Sequence, residues 1–149
     1  MEERFQTFTV LVTDINRCIH KLKTKEMEEF NLKSSHVSCL YYLYKMGSMT
    51  AKDLCDICKE DKANISRAIK ALEIGGYVVC NSKTQKRYQS MLVLTELGNE
   101  TGSRIAEKID RILEMVGEGV SDECRKVMYE SLVAIRKNLQ QLCDENDLL

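Results

Sequence analysis

Apolar residues recur at alternating steps of three and four along most of the chain, the period of helices that bury one face. In the first segment, residues 4 to 30, Phe5, Phe8, Val12, Ile15, Ile19 and Leu22 form a heptad-like seam. A second segment runs to about Tyr44 on Val37, Leu40, Tyr41 and Leu43. Two short segments follow, Thr50–Lys59 with Leu54, Cys55, Ile57 and Cys58, and Asp61–Ile74 with Ile65, Ala68, Ile69 and Leu72. The period then changes to that of strands at Tyr77-Val78-Val79-Cys80 and Met91-Leu92-Val93-Leu94, around a polar loop from Asn81 to Ser90. Helical spacing returns from Glu96 to about Val116, on Leu97, Ile105, Ile109, Ile112 and Val116. It appears a last time to about Cys143, on Cys124, Met128, Leu132, Ile135, Leu139 and Leu142.

The residues between these runs are helix starts and stops. Asn31-Leu32-Lys33 breaks the first pattern, and Ser34 or Ser35 is expected to cap the second helix. Thr50 caps the third, with Asp53 at the capping-box position, and Asp61 opens the fourth. Gly75-Gly76 end it, because glycine enters the left-handed conformation without steric cost. Thr95 and Ser121 cap the last two helices, on either side of a break at Gly117-Glu118-Gly119. Two short helices joined by a tight turn and followed by a hairpin have the order of a winged helix-turn-helix. The expected fold is therefore mainly α with a small β-hairpin wing. Residues 33–96 form the winged module, and residues 1–32 and 97–149 form a helical dimerisation region. The terminal helices have little to bury against in so small a module, and pairing two copies would cover their stripes.

Charge sharpens this picture. Between Lys62 and Ser90 six basic residues, Lys62, Arg67, Lys70, Lys83, Lys86 and Arg87, face one acid, Glu73, a net of +5 in a chain whose total is −1. One basic element in an acidic chain is the footprint of a local phosphate-binding face. The 149-residue chain has no proline, which suits long helices, and no apolar run near the ~20 residues of a membrane span. Its acidic start, Met1-Glu2-Glu3, lacks a signal core, so a cytoplasmic protein is expected.

The seven cysteines are expected to be free thiols. Cys55-Asp56-Ile57-Cys58 and His36-Val37-Ser38-Cys39 together could supply a zinc set, and a CxxC is also a thiol-redox motif. A redox CxxC opens a helix after a strand, whereas this one lies inside a helix begun at Thr50, so packing as small apolar groups is the preferred reading. There is no glycine-rich phosphate loop, no HExxH and no GxSxG. No enzyme activity, cofactor or metal is expected.

Over essentially its whole length the chain resembles the MarR family of bacterial winged-helix transcriptional regulators. The resemblance is carried by the run Asp61 to Glu73, DKANISRAIKALE, by Gly75-Gly76-Tyr77-Val78, and by Leu94-Thr95-Glu96-Leu97-Gly98. It departs at Gln85-Lys86-Arg87-Tyr88-Gln89, where many members carry an acid ahead of an arginine. The resemblance implies a homodimer, joined through helices bearing Phe5, Phe8, Val12, Ile15, Leu132, Ile135, Leu139 and Leu142. It implies a double-stranded DNA operator as partner, repression, and release by a small-molecule effector. Thiol or metal sensing on the same fold, and a winged protein-interaction module without DNA binding, are the alternatives.

On a recognition helix at Asp61–Ile74, Arg67 can pair with guanine and Asn64 with adenine, each discriminating by about 1–3 kcal/mol. Lys62, Ser66 and Lys70 are placed for phosphates. The wing residues Lys83, Gln85, Lys86, Arg87 and Tyr88 would reach the backbone or the adjacent minor groove. Two copies would read half-sites about one helical turn apart.

Overall fold

A computed structural model describes residues 3–81 and 90–146 of the chain, with side chains from residue 6 to residue 145. Six helices and one hairpin occur among them. They are α1 (Glu3–Glu26), α2 (Ser34–Met46), α3 (Ala51–Cys58), α4 (Lys62–Ile74), β1 (Val78–Asn81), β2 (Met91–Leu94), α5 (Glu96–Val116) and α6 (Asp122–Asn146). The chain divides into two compact units, Met1–Ile109 and Asp110–Leu149.

The core of the first unit is made where the short helices meet the hairpin. Val37, Cys39, Leu40 and Leu43 of α2, Leu54 of α3, and Ile65, Ala68, Ile69 and Leu72 of α4 are buried together with Val78, Leu92 and Ile105. Each large aliphatic among them contributes roughly 1.5–3 kcal/mol over its exposed state. The hairpin is antiparallel, pairing Val78 with Leu94 and Asn81 with Met91. Met49 adds a bridge on the other edge of β2. Its N–H donates to the Leu92 carbonyl at 3.3 Å and its carbonyl accepts from Leu92 N–H at 2.8 Å.

Several expected boundaries shift for local reasons. The first helix ends at Glu26 rather than at 30. Met27 turns into the core, Glu28–Phe30 make a 3-10 turn, and Asn31 takes a left-handed φ of 50° that ends it. Neither Ser34 nor Ser35 caps α2. Lys33 occupies that position, and its N–H donates to Nδ1 of His36 at 3.4 Å. Burial, and then the charge of Lys33, hold the His36 pKa below its usual value, which suits an unprotonated acceptor.

Leu97 is also not part of the inner face of α5. It is exposed, and the first half of α5 buries Gly98, Thr101, Gly102, Ile105 and Ala106 instead. Small residues let α5 approach closely: a Cβ on Gly102 would stand 2.8 Å from Cβ of Tyr44 on α2. Lys108 of α5 holds the 3-10 turn, with Nζ 2.5 Å from Glu29 and 3.3 Å from Glu26.

Within the second unit, Ser121 caps α6 by accepting from Cys124 N–H at 3.2 Å, and Arg125 donates to the Val120 carbonyl at 3.3 Å. No helix among the described residues is long and apolar enough to cross a membrane.

Candidate nucleic-acid interface

The outward face of α4 is positioned by a chain of local devices that begins at Thr50. Thr50 Oγ1 accepts from Asp53 N–H at 3.1 Å while the Asp53 carboxylate accepts from Thr50 N–H at 2.9 Å and from its hydroxyl at 2.7 Å. This reciprocal box fixes the start of α3. The hydroxyl bond first, and then the backbone bond, keep the Asp53 carboxyl below its ordinary pKa. At the other end Lys59 adopts a left-handed φ of 55°, and its N–H and that of Glu60 converge on the Cys55 carbonyl. The chain reverses there, and Asp61 caps α4 by accepting from Asn64 N–H at 2.8 Å.

Helix α4 then sorts its residues by face. Ile65, Ala68, Ile69 and Leu72 point into the core, while Lys62, Ser66, Arg67 and Lys70 are exposed. Ala63 shares the exposed face, and sequence reasoning passed over it. Its methyl is of the kind that contacts thymine in a major groove. Asn64 departs from expectation. It is half-buried, and its carboxamide donates to the Glu60 carboxylate, so in this conformation its donor is engaged within the protein. Nothing in the hydrophobic pattern marks Glu60 for that task.

The helix ends in a Schellman arrangement. Tyr77 N–H returns to the Leu72 carbonyl at 2.9 Å and Gly76 N–H to Glu73 at 3.1 Å, with Gly76 at φ +76°. The hairpin therefore leaves α4 at a fixed angle. Thr95 locks its far end: its hydroxyl donates to the Gly76 carbonyl at 2.6 Å and accepts from Gly98 N–H at 3.0 Å, while its N–H donates to Tyr77 at 3.0 Å. Lys62, Ser66 and Lys70 border a cavity of about 220 Å³ whose apolar wall is Ala51, Ile69, Cys80 and Leu92. The wing residues Lys83, Gln85, Lys86, Arg87 and Tyr88 lie outside the described residues.

Of the residues expected to join two copies, most that are described are exposed. On α1, Val12 and Ile15 are exposed and Phe8 is half-buried, while the side chain of Phe5 lies outside the described residues. Val10, Leu11, Ile19 and Leu22 widen the exposed stripe. On α6, Leu132, Leu139 and Leu142 are exposed and Ile135 is half-buried. Among the described residues no three His, Cys, Asp or Glu side chains form a set that could hold a metal.

A helix pair with a basic outward face, followed by a hairpin locked to its end, defines a winged helix-turn-helix protein. Comparison with known proteins agrees. A model of the MarR family matches residues 30–87. The HTH-type transcriptional regulator YwoH of Bacillus subtilis is 31% identical over 116 residues, covering 76% of this chain and 84% of that protein. A MarR family transcriptional regulator from Listeria monocytogenes, solved in complex with a 26mer DNA, superimposes with a TM-score of 0.76. It is 22% identical and covers 86% of this chain and 85% of its own. The MarR protein of Staphylococcus aureus, solved in complex with salicylate and kanamycin, superimposes with a TM-score of 0.81 at 18% identity, covering 94% and 95% of the two chains. The chain belongs to the MarR family of helix-turn-helix transcriptional regulators.

Proposed function

We propose that the protein is a cytoplasmic, homodimeric repressor that binds a pseudo-palindromic double-stranded DNA operator and is released by a small-molecule ligand. The observation that carries the reading is the outward face of α4, where Lys62, Ser66, Arg67 and Lys70 stand exposed on a helix whose start, end and inner face are all fixed. Arg67 reads guanine, and Lys62, Ser66 and Lys70 hold phosphates. Asn64 reads adenine once it leaves Glu60. The wing, with Lys83, Gln85, Lys86, Arg87 and Tyr88, follows the backbone beside the recognition helix. Residues 33–96 are the DNA-binding part, and residues 1–32 and 97–149 the dimerisation part. The related Listeria structure, solved with DNA, supports this use of the fold.

Dimerisation is supported by the exposed stripes on α1 and α6, since apolar faces this long are rarely left in water. Release by a ligand is supported by the salicylate complex of the Staphylococcus relative. A cavity of about 480 Å³ between the end of α1 and the start of α2 offers a place for it. Lys23 and Lys33 line this cavity beside Met27, Leu32 and one acid, Glu28, and the two lysines suit an anion with an apolar body.

The test is binding to the DNA upstream of the protein's own gene, at two salt concentrations and against scrambled DNA. Sequence-dependent binding that weakens steeply with salt is the expected result, because phosphate contacts release counterions. Equal affinity for scrambled DNA at both salts would refute the operator reading.

A further inference from the structure

The crest of α4 carries a methyl group. The buried residues of this helix are Ile65, Ala68, Ile69 and Leu72. At about 100° per residue, Ala63 stands about 170° around the helix from the middle of that buried face, further than any other residue of the first two turns. Arg67 and Lys70 flank the same line, each about 150° from the buried middle. All three are exposed. The two sides of the crest are occupied. On one, Lys62 and Ser66 border the cavity shared with Cys80 and Leu92 of the hairpin. On the other, Asn64 gives its carboxamide to Glu60. Between them the first turn presents the side chain of Ala63. A recognition helix contacts base edges with its N-terminal residues, so the middle of the first turn comes near the groove floor. A methyl there has no hydrogen bond to offer a purine edge or the cytosine amine. Its complement is the apolar group that the major groove displays, the C5-methyl of thymine.

We propose that Ala63 is a specificity-determining residue that reads a pyrimidine C5-methyl in each operator half-site. The inference rests on the proposed function, in which α4 is the recognition helix. Arg67 lies four residues on, about 6 Å along the helix, which sets the methyl about two base-pair rises from the guanine that Arg67 reads. 5-Methylcytosine carries the same group at the same place in the major groove. A half-site with cytosine at this position is therefore bound better when that cytosine is methylated, and the protein distinguishes the methylation state of the DNA there.

The experiment uses the full-length wild-type protein and the DNA segment it prefers upstream of its own gene. Each thymine in turn is replaced by deoxyuridine, which removes the methyl and alters no pairing or minor-groove atom, so contacts of the wing are kept. At one thymine per half-site the Kd should rise about fourfold, the worth of one buried methyl. With cytosine at that position, C5-methylation should lower the Kd by about the same factor. In Ala63→Gly, checked for folding by circular dichroism, the thymine and deoxyuridine operators should bind alike. A second variant locates the contact without touching Ala63: the responsive thymine should lie about two base pairs from the guanine whose replacement Arg67→Ala tolerates. A preferred sequence in which no thymine responds to deoxyuridine overturns the inference and leaves the proposed function standing. A response that persists in Ala63→Gly, or a responsive thymine far from that guanine, gives the methyl to another residue and overturns the role of Ala63. The absence of any preferred sequence overturns the proposed function, and this inference with it.

Discussion

A Cβ placed on Gly98 would stand 2.0 Å from the carbonyl oxygen of Tyr77. Helix α5 therefore enters against the root of the hairpin at a separation that no larger residue allows. The clash is with backbone already engaged by Thr95, so it cannot be relieved by turning a side chain. Gly98→Ala should lower stability by about 3 kcal/mol. It should also loosen the hairpin, and denaturant unfolding with amide exchange at Val78 and Leu94 would measure both effects. Unchanged stability would mean that α5 moves freely against β1.

The Asn64–Glu60 contact makes a second prediction. If Asn64 reads a base, it must first give up the Glu60 carboxylate. Glu60→Ala removes that competitor and an acid close to the proposed DNA face, so operator affinity should rise, by about 1 kcal/mol. Arg67→Ala should instead cost about 1–3 kcal/mol on the operator and leave scrambled DNA little affected, because the proposed function gives Arg67 the base discrimination. Fluorescence anisotropy on both DNAs separates the two variants. Weaker operator binding by Glu60→Ala would show that Glu60 holds Asn64 in its working position.

Much of this arrangement was legible in the sequence, and the exceptions share a cause. Periodicity located α2, α3, α4 and the hairpin, because each carries large apolar residues on its buried face, and α6, because its exposed apolar residues keep the helical spacing. It failed on the first half of α5, where Gly98, Thr101, Gly102 and Ala106 make the buried face and Leu97 points out. A face that packs by close approach leaves little hydrophobic signal. Met49 was missed because one bridged residue has no period. The Glu60–Asn64 contact was missed because it spans the turn before α4, and its partners are ordinary polar residues. Gly98 stood out as part of a motif, but its reason, the Tyr77 carbonyl, is a fact of three dimensions.

The exposed stripes give a third prediction. Ile15 on α1 and Leu139 on α6 are each more than half exposed, at 56% and 51%. Charges there cost an isolated chain little, since they stand in water, but would be buried unpaired in a dimer. Ile15→Glu and Leu139→Glu should each give a folded monomer by sedimentation velocity, with circular dichroism unchanged. Operator affinity should fall far more than affinity per half-site, since two modules would no longer be linked. A dimer that persists in both variants would place the interface elsewhere.

Acid stability gives the last prediction, and two carboxylates separate its causes. Asp53 is held below its ordinary 3.8 by the Thr50 hydroxyl and then the Thr50 N–H, and Glu29 below 4.5 mainly by its hydrogen bond from Lys108. Unfolding removes these partners, so the unfolded chain takes up protons at the ordinary values while the folded chain resists. The stabilisation is complete above those values and is lost as pH falls through the lower folded ones. Lys108 is shifted the opposite way, above 10.5, chiefly by Glu29. Its share is complete below 10.5 and is lost as pH rises through the folded value. Asp53→Asn should therefore lie below wild type at neutral pH and converge with it only in acid. Glu29→Gln should converge with wild type in acid, and in alkali the gap should narrow to the share still held by Arg104, 3.5 Å away and always charged. Both groups face solvent, so the gaps will be small and should shrink with added salt for Glu29 more than for Asp53, whose main partners are neutral dipoles, with Lys52 adding least. Denaturation midpoints across pH at two ionic strengths would show this. Convergence of Asp53→Asn in alkali would mean that Asp53 is held by a cation rather than by the cap.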